Sequence, residues 1–297
     1  MDIEAYRKNL TDQIEALSGD LQRSTGLSAR GSQSAVERAT SVAEMPLNAQ
    51  NLNEIVPMML EISVDRNEPV TVRLEAIQKL QSADFFGPAF DPFRSDFNGA
   101  LRQCAMDESP TLRSVAAELL SLEGDPWIAD RLRDSLQESG TKLVPDALAL
   151  KYLGYDDHSG APELALELYE DLDTDAKEQA LRLLDGSELA SKILQAVVTD
   201  AKAAPRLRTV SAYRLSSLAP DVFIEHAVKV LEDDEEAAEL KVAYLAALKP
   251  SAAQGAADQD ALNKVAAALA ESKSSRLRAA VENYEKRIEK TNSPASQ

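Results

Sequence analysis

Apolar residues recur along most of the chain at the three- and four-residue spacing that is typical of amphipathic α-helices. The pattern is clearest over residues 107–120. Asp107 or Ser109 can cap the first amides of a helix there, and Pro110 suits its first turn because the missing N–H would have no partner. The apolar positions that would share one face of this helix are Leu112, Ala116, Leu119 and Leu120.

Similar units recur along the chain, and each is numbered from the residue equivalent to Arg113, which we call its anchor. The anchors are residues 73, 113, 146, 177, 208, 241 and 278, which are 40, 33, 31, 31, 33 and 37 residues apart. This period is typical of repeats made of two helices. The apolar residues between the anchors also have helical spacing, and no run of apolar and polar residues alternates for long enough to indicate a β-strand. The sequence therefore predicts an all-α fold of stacked antiparallel helix pairs.

The run Asp-x-x-Pro-x-Leu-Arg-x-x-Ala at residues 107–116 resembles the HEAT-repeat family motif, and the resemblance extends over roughly residues 50–288. It implies a HEAT-like α-solenoid of about six to seven repeats, wound as a right-handed superhelix, whose second helices line a concave face. It also implies that the recurring Asp and Arg pair between adjacent repeats. On this basis Asp107 with Arg113, and Asp200 with Arg208, are expected to contribute to a buried ladder.

We predict four regions along the chain, of which residues 50–290 form the repeat array. Residues 1–22 form an N-terminal amphipathic helix, residues 23–49 a linker and a short helix, and residues 291–297 a disordered tail. The apolar seam of the first helix consists of Ile3, Tyr6, Leu10, Ile14, Leu17 and Leu21. Such a seam needs a surface, which can be the array itself, a second copy of the chain or another partner.

Residues 84–95 interrupt the repeat with two prolines and four of the six phenylalanines. A segment this apolar either packs over an end of the core or offers an aromatic contact site.

The formal net charge of −18 argues against a broad surface for nucleic acid, which needs clustered Lys and Arg. Residues 101–200 carry 21 acidic and 9 basic residues, and this excess of acid could attract a basic partner.

A single cysteine, Cys104, excludes an internal disulfide and fits a reducing compartment. No signal peptide or membrane span is recognised, and a cytoplasmic location is expected.

Motifs of catalysis and metal binding are not found. The chain has no glycine-rich phosphate loop, nucleophile elbow or metalloprotease helix motif. The adjacent residues Asp156, Asp157 and His158 do not converge as metal ligands at helical spacing. Residues 171–175 resemble the first part of a calcium-binding loop. Ala176 and Arg182, however, occupy the positions at which such a loop needs Gly and Glu, so the sequence does not predict a calcium site. The sequence thus predicts no catalytic residues, no metal site and no cofactor.

Polar and aromatic side chains occupy the fifth and sixth positions after the anchors, which should face away from the core. The candidate partner-binding residues are Tyr152, Arg182, Tyr213, Arg214, Lys151 and Gln78. They predict a non-catalytic scaffold or adaptor that binds a protein on the concave face, and the acidic middle of the chain would favour a basic partner. One alternative is a HEAT-like enzyme, similar to a bilin lyase or a DNA glycosylase. Another is a structural subunit that assembles through its N-terminal helix.

Overall fold

The computed structural model describes residues 34–137, 142–248 and 256–292. Regular structure in these ranges is helical throughout, which confirms the predicted all-α class. The helices are α1 (Ala35–Glu44), α2 (Leu52–Val64), α3 (Val70–Asp84), α4 (Asp91–Ala105), α5 (Pro110–Leu122), α6 (Pro126–Gln137), α7 (Asp146–Leu153), α8 (Ala161–Leu168), α9 (Thr174–Leu183), α10 (Glu188–Thr199), α11 (Pro205–Leu218), α12 (Pro220–Glu232), α13 (Ala238–Ala247), α14 (Ala256–Ala270) and α15 (Ser275–Asn292).

The predicted helix over residues 2–22 lies outside the described residues. The last helix, α15, runs to Asn292, so the end of the array extends slightly beyond the predicted boundary at residue 290. The rest of the predicted tail, residues 293–297, also lies outside the described residues.

The predicted repeat frame is confirmed by the positions of the anchors. All seven fall in alternate helices along the chain, which we call the second helices, namely α3, α5, α7, α9, α11, α13 and α15. Prolines begin several helices as expected, and the Ser109 hydroxyl caps α5 by accepting from the Leu112 amide. The anchors were predictable because helical periodicity is a local property of the sequence.

The chain forms two compact units, Met1–Val144 and Pro145–Gln297, and each is described by itself. In unit 1, α1 and α2 pack on α3, and α4 packs on α5. In unit 2, successive second helices pack in a row from α7 to α15. Large side chains that these contacts bury include Ile55, Met59, Leu80, Leu101 and Leu120 in unit 1 and Leu150, Leu181, Leu194, Leu215 and Tyr244 in unit 2.

Each unit has a buried arginine ion pair of the kind expected for the ladder, but the partners differ from those predicted. In unit 1, Arg73 pairs with Asp107 of the following repeat, with 2.9 Å between Nη2 and Oδ2. In unit 2, Arg208 pairs with Glu236. The predicted partner Asp200 instead accepts from the exposed Lys202 amide.

Arg113 has a different role from the one expected in the ladder. Its Nη1 donates to the Asp107 and Glu108 carbonyls, at 2.9 Å each, and its Nε donates to the Leu143 carbonyl at 2.7 Å. It therefore binds backbone rather than the Asp107 carboxylate, because that carboxylate is already held by the preceding repeat.

A second set of cations ties each of three second helices to the one before it. Lys79 Nζ of α3 donates to the Ala43 and Met45 carbonyls at the end of α1, at 2.6 and 3.0 Å. Arg214 of α11 donates to the Leu184 carbonyl after α9, and Arg287 of α15 donates to the last carbonyls of α13. Each cation satisfies carbonyls that a helix end leaves unpaired and lies at the negative end of the helix dipole.

The phenylalanine-rich segment of unit 1 is divided between core and surface. Phe90 is fully buried, and its ring centroid lies 6.1 Å from that of Phe93 and 6.0 Å from that of Phe97. These rings confirm that the segment packs over the core. Phe85, by contrast, is 93 % exposed.

In the described ranges, the apolar stretches of the helices are too short to cross a lipid bilayer.

Candidate functional site

Three arginines and the single tryptophan of the chain line one open cleft of unit 1. The cleft has a volume of about 410 Å³. Its walls come from the end of α2, the loop before α3, the end of α4 and the start of α6. The lining residues are Val64, Arg66, Arg73, Arg102, Gln103, Met106, Asp107 and Trp127.

The loop between α2 and α3 holds Arg66 at the mouth of the cleft. Asp65 shapes this loop, because its Oδ1 accepts from the backbone amide and the side-chain amide of Asn67, both at 2.9 Å. Arg66 itself is exposed and makes no hydrogen bond or ion pair with any residue that the structure describes. Its positive charge is therefore uncompensated by a direct contact within the described part of unit 1.

The buried pair of Arg73 and Asp107 forms the back of the cleft. Arg73 Nε donates to the Ser63 carbonyl at the end of α2, at 2.9 Å, and the Asp107 Oδ1 accepts from the Ser109 amide at the same distance. Burial opposes ionisation of Asp107, but the Ser109 amide, Arg73 and the nearby charge of Arg66 outweigh it and lower the pKa of this carboxyl. Asp107 is thus a fixed anion rather than a proton donor at neutral pH.

Arg102 and Trp127 are held together through Asp125. Arg102 donates from Nε and Nη2 to Asp125 Oδ2, at 3.1 and 2.7 Å. The other oxygen of Asp125 accepts from the Trp127 amide at 2.9 Å and so caps α6. The guanidinium carbons of Arg102 and Arg131 lie 5.9 and 5.8 Å from the indole centroid, which is within the range of a cation–π contact.

Among the residues that line the cleft, one cation is left without an ion pair to any residue that the structure describes. Asp107 balances Arg73 and Asp125 balances Arg102, whereas Arg66 has no such pair within the described ranges. Beside it, Met106 is 52 % exposed and the Trp127 indole is half-buried. This arrangement can bind one negative group at Arg66 and a planar or apolar portion against Met106 and Trp127.

Groups for covalent or acid–base chemistry are scarce around the cleft. Cys104 lies behind the wall, fully buried, with its Sγ 3.3 Å from the Ser63 carbonyl that it donates to. Burial raises the pKa of this thiol, so it is a poor nucleophile. In the ranges 34–137, 142–248 and 256–292, no three His, Cys, Asp or Glu side chains form a group able to hold a metal ion.

The candidate partner-binding residues predicted from the sequence do not form this site. Gln78 lies in unit 1 and the other five lie in unit 2. Those at the fifth position after an anchor are exposed as predicted: Gln78, Lys151, Arg182 and Tyr213. Their predicted role in binding a partner stays a prediction.

The prediction that residues at the sixth position after an anchor are exposed is wrong for Tyr152 and Arg214. Tyr152 is only 3 % exposed, with its ring centroid 6.0 Å from that of Tyr155. Arg214 is half-buried, and burial lowers its pKa while its guanidinium binds the end of α9. The sixth position lies about 100° from the centre of the core face, so it points toward the neighbouring second helix rather than to solvent.

Sequence reasoning missed Arg66, Arg102 and Trp127. These residues lie on three separate loops or helix ends, and no spacing in the sequence connects them. The one available signal was an arginine or tryptophan within two residues of a capping aspartate, as at Asp65 and Asp125.

Comparisons with known proteins give little beyond the fold. No family model matches the chain, and no curated protein matches it. A solved structure of human deoxyhypusine hydroxylase in complex with glycerol is similar at 16 % sequence identity, with a TM-score of 0.36. The match covers 82 % of this chain and 98 % of the other.

The prediction of a non-catalytic scaffold is corrected by this comparison, because the similar structure is that of an enzyme. The similarity is too low to transfer an activity, a substrate or a site, so any function for this chain must come from its own residues.

Proposed function

We propose that the protein binds a small organic anion with a planar or apolar portion, and that the cleft at Arg66 and Trp127 is the substrate site of a helical-repeat enzyme. The observation that supports the proposal is that the guanidinium of Arg66, which has no ion pair with any described residue, lines the same open cleft as an exposed thioether and an indole. Arginine at such a place recognises a carboxylate or phosphate, and the apolar wall accepts the remainder of the molecule.

The size and charge of the cleft favour a small molecule over nucleic acid. A volume of about 410 Å³ is within the range of sites for small ligands. A nucleic-acid surface would need a row of cations without acidic partners, whereas Arg73 and Arg102 are both paired with aspartates. We therefore set the bilin-lyase-like form of the enzyme alternative above the glycosylase-like form.

The residues around the cleft suggest the kind of chemistry that they could support. They offer fixed positive charge and a fixed carboxylate, but no thiolate or titrating acid. Such a set would orient an anionic substrate and stabilise negative charge that develops on it.

The proposal also includes a repeat family and a cellular location for the protein. We infer a HEAT-like repeat, supported by the equivalent roles of Arg73 and Arg208, whose Nε atoms donate to the last carbonyls of α2 and α10. A cytoplasmic location is supported by the single, buried thiol of Cys104.

Binding is tested by the emission of Trp127, which is the only tryptophan and lies in the cleft. Benzoate and phenyl phosphate should change its emission on binding, and benzyl alcohol and acetate should bind much more weakly. Arg66→Gln should weaken benzoate binding by about tenfold, as expected for loss of one charged hydrogen bond. The matched control is Arg276→Gln, which removes an exposed arginine of unit 2. Equal affinity of benzoate and benzyl alcohol, or of wild type and Arg66→Gln, would show the binding proposal to be wrong.

Catalysis needs a separate experiment. The wild-type protein and the Arg66→Gln variant are incubated with a small-molecule extract of the source cells, and the extracts are compared by mass spectrometry. A compound that is consumed, with a product that accumulates, only in the wild-type sample supports an enzyme. Ligand binding without any conversion would show that the cleft is a carrier site and not a substrate site.

A further inference from the structure

An apolar notch of unit 1, separate from the cleft, opens between the ends of α3 and α5. It has a volume of about 170 Å³. The side chains of Asp84, Arg94 and Glu123 form its polar rim, and Arg94 bonds Asp84 at 2.7 Å. Its apolar lining consists of Phe85, Phe97, Leu101, Leu119 and Leu122.

Two of the apolar side chains in this notch are strongly exposed. Phe85 is 93 % exposed and Leu122 is 60 % exposed, whereas Phe97 and Leu101 beneath them are buried. Scattered single apolar residues on a surface are ordinary, but two that line the same depression above buried apolar side chains indicate a surface with a missing partner.

The notch coincides with a gap in a row of helices. In unit 1, α1 packs closely on α3, and in unit 2 each second helix packs on the next. α3 and α5 do not make comparable contact with each other. The phenylalanine-rich connection between α3 and α4, which includes the 3-10 turn Gly87–Ala89, begins with Phe85 in the lining of the notch.

We propose that the N-terminal segment, residues 2–22, docks in this notch and covers Phe85 and Leu122. Its sequence predicts an amphipathic helix whose apolar residues form one narrow seam, which matches a notch that is apolar at its floor and polar at its rim. A helix of this kind is marginal alone in water and gains stability by packing its apolar face.

The position at which the described chain begins allows this docking. Arg38 of α1 pairs with Glu68 just before α3, and Lys79 near the other end of α3 binds the last carbonyls of α1. α1 and α3 therefore run in the same direction, and Ser34 lies at the end of α3 opposite to Phe85. The distance to be crossed is close to the length of α3, about 22 Å.

The intervening residues are long enough for that distance. Residues 23–33 can span at most about 40 Å when fully extended. Their Ser, Gly and Arg content predicts a flexible link, so they do not fix the direction in which the segment leaves α1. The tether also holds the segment at a high effective concentration relative to a second copy of the chain.

Hydrogen exchange of the full chain tests the proposal. The amides of residues 2–22 should be protected, and Phe85→Ser combined with Leu122→Ser should speed their exchange by about tenfold or more. Leu189→Ser, which replaces an exposed leucine of unit 2, is the matched control and should leave that exchange unchanged. Circular dichroism confirms that each variant keeps its helices. Lack of protection in the wild type, or protection that survives the double substitution, would overturn the proposal.

A disulfide experiment separates docking within one chain from docking between two. Ile14→Cys with Phe85→Cys should form an intramolecular disulfide in a monomer, and Asp12→Cys with Phe85→Cys should form several-fold less, because residue 12 lies on the opposite face of the predicted helix. Cys104 is buried and does not interfere. Disulfide-linked dimers would assign the notch to a second copy of the chain, and equal yields from positions 12 and 14 would show that the segment is not seated there.

Discussion

Arg208 and Glu236 form a two-pronged ion pair in unit 2, with 3.0 Å from Nη1 to Oε1 and 2.6 Å from Nη2 to Oε2. Both side chains are largely buried, at 10 % and 13 % exposure. We expect Glu236→Ala to lower the free energy of unfolding of unit 2 by about 3 kcal/mol, because it leaves a buried guanidinium without its counter-charge. The urea midpoint, followed by circular dichroism, measures the change.

Glu235 provides the control for this prediction, because it is the neighbouring acid and is exposed. Glu235→Ala should change the free energy of unfolding by less than about 0.5 kcal/mol. If both variants shift the midpoint equally, the ion pair is not the source of the stability.

The same pair predicts a pH dependence of stability. The hydrogen bond from Arg208 lowers the pKa of Glu236 below its ordinary value of 4.5. A lowered folded-state pKa means that the stabilisation is fully present above pH 4.5 and is lost as the pH falls through the folded-state value. Glu236→Gln should therefore be less stable than the wild type at pH 7, and the difference should shrink below about pH 4.5. A difference that is constant from pH 7 to pH 3 would contradict this prediction.

Gly154 permits a close approach between α7 and α9 in unit 2. A Cβ at this position would lie 2.4 Å from Leu183 Cδ2 and 3.4 Å from the Leu150 carbonyl oxygen. We expect Gly154→Ala to destabilise the unit by about 1–2 kcal/mol, because Leu183 must move to another rotamer. Gly186→Ala is the control, since no atom lies within 4 Å of its Cβ and its φ is not positive. Thermal unfolding of both variants should show a lower midpoint for Gly154→Ala alone.

Cys104 should report the opening of unit 1. Its side chain is fully buried and its pKa is raised by burial, so the native thiol should resist a soluble thiol reagent. Labelling in increasing urea should follow the loss of helical signal from this unit, because the thiolate forms only when the core opens. Rapid stoichiometric labelling of the native protein would contradict the buried position of Cys104.

Part of this structure could be read from short stretches of sequence. The anchors from Arg73 to Arg278 all fall on second helices, because the spacing of apolar residues within one helix is enough to identify its buried face. The exposure of Lys151 and Tyr213 at the fifth position follows from the same geometry. The predicted exposure of the sixth position was wrong for Tyr152, because a side chain on the flank of a helix is buried or exposed according to the helix that packs beside it.

The sequence by itself determined the helices, their frame and the faces that point to the core. Only the tertiary structure decided which charges meet: Arg73 pairs with Asp107, Arg208 pairs with Glu236, and Arg66 lines the same cleft as Trp127. The physical reason is the range of each effect. Helix formation depends on residues three or four positions apart, whereas an ion pair or a cleft depends on loops from different repeats that meet only after the helices have packed.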